Sequence, residues 1–197
     1  MREDKTILRS RLFKARAELR AAATFDAAHK IAALALPFIK TLSDRAPAET
    51  PVALYNALPG ELDCLPLLQS LSVAGYKTLL PVAGPKATPL TFRLWKPGDP
   101  LSAGRFGLRE PEAEAPEMIP KILFAPLLGF DGKGGRLGFG GGYYDATLAH
   151  LRKTGLIAAG GLAFAVQKID AIPMEAHDEA LDFVVTEDNL FDFRLDR

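Results

Sequence analysis

Apolar residues recur at helical spacing early in the chain and then give way to short, unbroken apolar runs separated by turn formers. Ile7, Leu8, Leu12, Ala15 and Leu19 share one face of a helix over residues 4 to about 21, with Arg and Lys on its other faces and Asp4 placed as a cap. A second helix is expected from residue 26 to about 42 on the stripe Ile31, Leu34, Phe38 and Leu42, with Pro37 bending it or ending it early. Beyond it, residues 51–55, 77–82, 91–95, 122–128, 156–164 and 183–186 read as strands, and residues 62–74 and 143–153 as helices. The strands are continuous apolar runs that interleave with helices. That combination predicts an α/β fold whose largely parallel sheet is covered on both faces. Residues 96–120 hold five prolines and three glycines, so a semi-rigid surface excursion without regular structure is expected there. No internal repeat breaks the chain, and residues 1–197 are expected to form one domain with the N-terminal helices as an extension.

Charge narrows the function classes. Lys plus Arg and Asp plus Glu each number 24, and this balance argues against a nucleic-acid partner. The single cysteine, Cys64, excludes an intramolecular disulfide and a thiolate metal cage. The charged start MREDKTILRSRLFKAR lacks the apolar core of a signal peptide, and no run approaches the roughly 18 apolar residues a membrane helix needs. A cytoplasmic monomer acting on small molecules, with no membrane partner, is the expectation.

The chemistry concentrates in residues 129–145, GFDGKGGRLGFGGGYYD, with eight glycines between an expected strand and an expected helix. Glycines let the backbone take positive φ or approach a ligand closely, and a helix N-terminus presents N–H groups to an anion. The segment is neither a P-loop, since Gly132-Lys133 is followed by Gly134, nor the dinucleotide fingerprint, since Tyr143 stands where the third glycine belongs. Arg136 can hold phosphate bidentately, and Asp145 beside phosphates implies an intervening cation such as Mg²⁺; capping of the helix is the other reading of Asp145.

The run Arg136–Leu137–Gly138–Phe139–Gly140–Gly141–Gly142–Tyr143–Tyr144–Asp145 resembles the signature of the 5-formyltetrahydrofolate cyclo-ligases, also called 5,10-methenyltetrahydrofolate synthetases. Phe130–Asp131 with Gly134 fits the same signature. Pro59–Gly60–Glu61–Leu62–Asp63, Trp95–Lys96–Pro97–Gly98–Asp99, Phe106–Gly107–Leu108–Arg109–Glu110–Pro111 and His177–Asp178–Glu179–Ala180–Leu181–Asp182 match in order, so the resemblance spans nearly the whole chain. It implies a three-layer α/β/α sandwich of the type shared with ribose-phosphate isomerases and CoA-transferases. It also implies ATP- and Mg²⁺-dependent closure of 5-formyltetrahydrofolate to 5,10-methenyltetrahydrofolate.

Residue by residue, the resemblance assigns ATP to Lys5, Arg9 and the loop Arg136, Leu137, Gly138, Phe139, Gly140, Gly141, Gly142, Tyr143 and Tyr144. It assigns the folate to Glu61 and to Phe139–Tyr143, with Tyr55 and Asn56 lining the same pocket, and Mg²⁺ to Asp145 and Asp178. Arg136 and Tyr143 are the catalytic candidates. Lys5 and Arg9 lie four apart, on one helix face, where their alternative is a solvated surface; Glu61 is alternatively a turn acid and Asp178 a loop acid. Some relatives carry basic residues at the positions of Phe139 and Gly141, so here Lys5, Arg9 and Arg136 supply more of the charge. His177 is left out of the catalytic set. Two other readings remain open on this fold: a sugar-phosphate isomerase without ATP, and a non-catalytic folate- or nucleotide-binding protein.

Overall fold

The computed structural model describes residues 4–19 and 21–196. Helix α1 (Lys5–Ala17) opens with the carboxylate of Asp4 accepting from the backbone N–H of Thr6, the cap expected for it. Helix α2 (Ala21–Thr41) begins five residues earlier than its apolar stripe suggests and runs through Pro37 to Thr41. Proline removes one helical hydrogen bond. Ile39 and Leu42 are buried in the core and Phe38 packs edge-on to Phe183 at 5.0 Å, which holds the last turn in place.

The remaining elements alternate. They are β1 (Val52–Ala53), α3 (Leu65–Val73), β2 (Thr78–Val82), β3 (Thr91–Leu94), β4 (Leu101–Ala103), β5 (Arg109–Pro111), β6 (Ile122–Ala125), β7 (Gly129–Phe130), β8 (Arg136–Leu137), α4 (Tyr143–Lys153), β9 (Ala158–Leu162), β10 (Phe183–Val185) and β11 (Leu190–Asp192). Seven strands form one sheet in the order β11-β10-β9-β6-β1-β2-β3, parallel at its centre, with β3 and β11 antiparallel at the two edges.

Successive side chains of the strands divide between two cores, as pleating requires. Val52, Ile122, Phe124, Ala158, Phe183 and Val185 pack with α2 and α3, whereas Ala53, Leu123, Ala125, Ala159 and Val184 pack with α4. The three-layer α/β/α sandwich is therefore present. A third apolar cluster, Leu8 and Leu12 of α1 with Leu128, Leu137 and Ile172, fastens the first helix beside the carboxyl ends of the strands.

Residues 96–120 depart from the expectation of an irregular excursion. β4 and β5 pair as an antiparallel hairpin, Leu101 opposite Pro111 and Ala103 opposite Arg109. Glu110 Oε1 accepts from the N–H of Ala83, and Asn56 Nδ2 donates to Arg109 O, so the hairpin is tied to the ends of β1 and β2. β11 is a second element absent from the sequence reading. It follows β10 after a turn in which Thr186 N donates to Asn189 O.

Candidate active site

The chain leaves β1 toward β2 on one side and reaches β6 on the other, so a crevice opens at the carboxyl ends of β1 and β6. A cleft of about 500 Å³ occupies that position. Every site residue named from the sequence lines it: Lys5 and Arg9 from α1, Tyr55, Asn56 and Glu61 from the segment after β1, the run Arg136–Tyr144, then Asp145 and Asp178.

The glycine segment is more ordered than a loop. β7 and β8 make a hairpin whose turn is organised by Asp131, a buried carboxylate. Its Oδ1 accepts from the N–H groups of Lys133 and Gly135, and its Oδ2 from Ile172 N. Gly134 has φ +79°, and a Cβ there would stand 2.4 Å from the carbonyl oxygen of Leu181. Glycine is required there both for its backbone angle and for the space it leaves. After β8 the chain runs past Gly140 (φ +91°) to Gly142 (φ +72°), where α4 begins without a side-chain cap. Tyr143, Tyr144 and Asp145 of its first turn line the cleft.

Arg136 is buried behind this hairpin. Its Nη2 donates to Asp145 Oδ1 at 2.9 Å and its Nη1 to Pro126 O, while its Nε is buried without a partner. Gly138 makes room for it, since a Cβ there would lie 3.0 Å from Nη1. Asp145, in the first turn of α4, does not cap the helix; its Oδ1 also accepts from Glu179 N, which joins α4 to the segment carrying Asp178. Asp145 Oδ2 accepts no hydrogen bond among the described residues, leaving a hard oxygen donor beside the cleft.

Asp178 is paired from the opposite end of the chain. Its Oδ2 accepts from Lys5 Nζ at 2.6 Å and from Glu175 N, and Lys5 also reaches Glu175 at 3.2 Å. Burial pushes the Asp178 carboxyl up, but the bonds from Lys5 and Glu175 N outweigh it and hold the group below its ordinary value. Burial likewise disfavours the Lys5 ammonium, yet its two carboxylate partners raise it overall. Arg9 Nε donates to Gly138 O at 3.0 Å, so Lys5 and Arg9 both touch cleft elements.

At the other end of the cleft Glu61 is half-buried. Burial raises its carboxyl above the ordinary range, against the N–H of Leu58, which bonds to it at 2.8 Å, and the field of Arg16. Burial also pushes up the hydroxyls of Tyr55 and Tyr144 and the thiol of Cys64, so these are neutral walls. The hydroxyl of Tyr143 lies 3.4 Å from Gly84 O. His177 is exposed beside Glu175.

Sequence reasoning passed over Leu58, Ala83, Lys86, Leu108 and Arg109, which also line the cleft. Leu108 and Arg109 stood inside the recognised Phe106–Pro111 run; the surrounding prolines disguised the hairpin that brings them in. No helix among the described residues is long and apolar enough to cross a membrane.

A model of the 5-formyltetrahydrofolate cyclo-ligase family matches residues 1–187. The chain is 34% identical over 179 residues to a 5-formyltetrahydrofolate cyclo-ligase of Haemophilus influenzae, covering 88% of this chain and 92% of the relative. It is 35% identical over 149 residues to the Escherichia coli protein of that name, covering 72% and 80% of the two chains. A solved structure of Aquifex aeolicus 5,10-methenyltetrahydrofolate synthetase superposes with TM-score 0.76 at 28% identity, covering 96% of this chain and 93% of that one. The Mycoplasma pneumoniae 5,10-methenyltetrahydrofolate synthetase shares the fold at TM-score 0.73 and 22% identity, covering 94% of this chain and 99% of that one.

Proposed function

We propose, on the premise that the chain belongs to the 5-formyltetrahydrofolate cyclo-ligase family, that it converts 5-formyltetrahydrofolate to 5,10-methenyltetrahydrofolate with consumption of ATP and a requirement for Mg²⁺. The observation that carries this reading is convergence. Lys5, Glu61, Arg136, Asp145 and Asp178, scattered from one end of the sequence to the other, face one cleft of about 500 Å³.

The reaction has two stages. The formyl oxygen attacks the γ-phosphorus of ATP and ADP departs, which turns an amide-like oxygen into a good leaving group. N10 then attacks the formyl carbon, loses its proton, and inorganic phosphate leaves as the ring closes. Positioning and charge supply most of the acceleration in phosphoryl transfer. Arg9 and the N–H groups at the start of α4 hold the triphosphate along the glycine segment, with the buried charge of Arg136 behind it. Tyr143 orients the transferring group at the α4 terminus.

Asp145 and Asp178 fit a divalent cation: both are carboxylates on one cleft, and Asp145 retains an uncommitted oxygen. Mg²⁺, when bound there, neutralises phosphate charge. Lys5 holds Asp178 until nucleotide arrives and is then free to turn toward phosphate. Glu61 accepts from the donor edge of the pterin, flanked by Tyr55, Asn56 and Phe139, which exclude water.

The deciding assay mixes protein, Mg-ATP and (6S)-5-formyltetrahydrofolate and follows methenyl absorbance together with ADP release. One ADP per methenyl product is expected. Product formation without ATP would sink the mechanism, and tight folate binding with no product would favour a binding protein.

A further inference from the structure

Arg16, near the end of α1, has no place in the site as described so far, yet only 7% of it is exposed. Its guanidinium makes no hydrogen bond or ion pair among the described residues, unlike those of Arg9 and Arg136. It sits against a pair of aromatic rings instead, 5.3 Å from the centre of Phe13 and 5.6 Å from that of Phe139, and these rings meet edge-on at 5.7 Å. On its other side is the turn that carries Glu61: a Cβ on Gly60 would stand 3.9 Å from Arg16 Nη2. Three walls of the cleft therefore meet at one side chain, namely α1, the glycine segment through Phe139, and the turn ending at Glu61.

A buried cation without hydrogen bonds is costly, and two ring contacts offset only part of that cost. The remainder points to the carboxylate beside it. The groups facing Glu61 are Arg16 from α1, Tyr55 from the end of β1, Cys64 from the entry to α3 and Tyr144 from α4, with Asp63 in the same turn. The tyrosines and the thiol are neutral, Asp63 is an acid, and Arg136 acts on Tyr144 rather than on Glu61. Arg16 is the cation whose field opposes the burial of Glu61.

We propose that Arg16 is a positioning residue for the folate end of the cleft, held against the Phe13–Phe139 pair beside the Glu61 turn so that its charge holds the negative charge of Glu61. The inference rests on the assignment of Glu61 to the folate. Arg16 itself does not line the cleft, whereas Phe139, which it contacts, does. Its influence reaches the ligand through the ionisation of Glu61.

The test is the pH dependence of 5-formyltetrahydrofolate KM in Arg16→Met and Arg16→Lys, with KM for ATP measured alongside. Arg16→Met is expected to raise the folate KM by up to about tenfold on the acid limb, below the Glu61 midpoint, the equivalent of moving that midpoint by about one pH unit, with little change where Glu61 is fully ionised. The acid midpoint of folate KM moves upward, ATP KM stays within about twofold, and Arg16→Lys restores the midpoint most of the way. A wild-type midpoint in Arg16→Met overturns the proposal. So does a parallel loss of folate KM, ATP KM and Tm that Arg16→Lys shares, since that is packing alone. If Arg16→Met does not fold, the double variant Glu61→Gln with Arg16→Met is compared with Glu61→Gln; equal folate KM supports the proposal and a further loss overturns it. Wild-type protein that neither binds folate nor forms product refutes the assigned function instead, a result separable from all of these.

Discussion

The ammonium of Lys5 stands 2.6 Å from a carboxylate oxygen of Asp178, a contact that bridges 173 positions of sequence. Both side chains are mostly buried, with 17% and 11% exposed, so solvent screens the pair only partly. It fastens α1 to the segment that follows β9 and closes one end of the cleft.

The pair has a pH window. Asp178 titrates below its ordinary value of 3.8, so its contribution to stability is present above that pH and is lost as pH falls through the lowered value. Lys5 titrates above its ordinary 10.5, so its contribution is present below that pH and is lost as pH rises through the raised value. Lys5→Met should therefore show a constant Tm deficit between those two values that shrinks outside them. Thermal melts of both proteins across pH check this, and a deficit independent of pH would assign Lys5 to packing.

Asp145→Asn keeps an oxygen for Arg136 and Glu179 N while removing the negative charge. Its Tm should fall, because the buried Arg136 guanidinium loses the charge it is paired with. Turnover should fall at least 10–100-fold, the loss typical of outer partners of a metal, and the response to added Mg²⁺ should weaken. Titration of activity with Mg²⁺ decides this; an unchanged Mg²⁺ response would remove Asp145 from the metal site.

Glu61→Gln should separate stability from function. The carboxyl is raised in the folded protein, which then holds its proton more tightly than the unfolded chain does. Its presence therefore weakens the fold progressively as pH rises above the ordinary value of 4.5. The amide should melt higher than wild type at neutral pH and equally at pH 4. Meanwhile the folate KM should rise by about 10–100-fold, the worth of a charged hydrogen bond, with little change for ATP. Equal effects on both substrates would contradict the assignment to the folate.

Gly134→Ala and Gly132→Ala form a matched pair within one turn. At Gly134 the positive φ costs about 1–2 kcal/mol and the new Cβ meets the Leu181 carbonyl, so Tm should drop by several degrees. Gly132 has open space around it, and its substitution should stay within about 0.5 kcal/mol. Calorimetry on the two variants is sufficient to check the difference.

What was legible in the sequence was what local pattern or local motif encodes. Ile122–Ala125 and Phe183–Val185 are apolar on both faces because helices cover both faces, and so they read as strands. The glycine segment announced a cradle because positive φ at Gly134, Gly140 and Gly142 leaves few other residue choices. The β4–β5 hairpin was not legible. Its strands are three residues each, flanked by prolines, and are held by Ala83 and Asn56 from elsewhere in the fold. β11 escaped for the same reason, as Leu190–Asp192 is short and takes its pairing from β10. Arg16 was one of many basic residues on α1, and only tertiary packing singles it out. Conversely, Arg136 was expected to grip phosphate directly, whereas in the folded protein its guanidinium is occupied by Asp145 and Pro126.

The seating of α1 carries a consequence for affinity. Leu12 rests on Gly129 so closely that a Cβ there would stand 2.6 Å from its Cδ1, and with Leu8 it provides the helix with its apolar contact to the β7–β8 hairpin. Lys5 and Arg9 reach the cleft only in molecules whose first helix is docked. Apparent nucleotide affinity is then the intrinsic affinity scaled by the docked fraction. An apolar contact remote from the phosphates would thereby set part of the binding constant, and by reciprocity nucleotide would favour the docked helix.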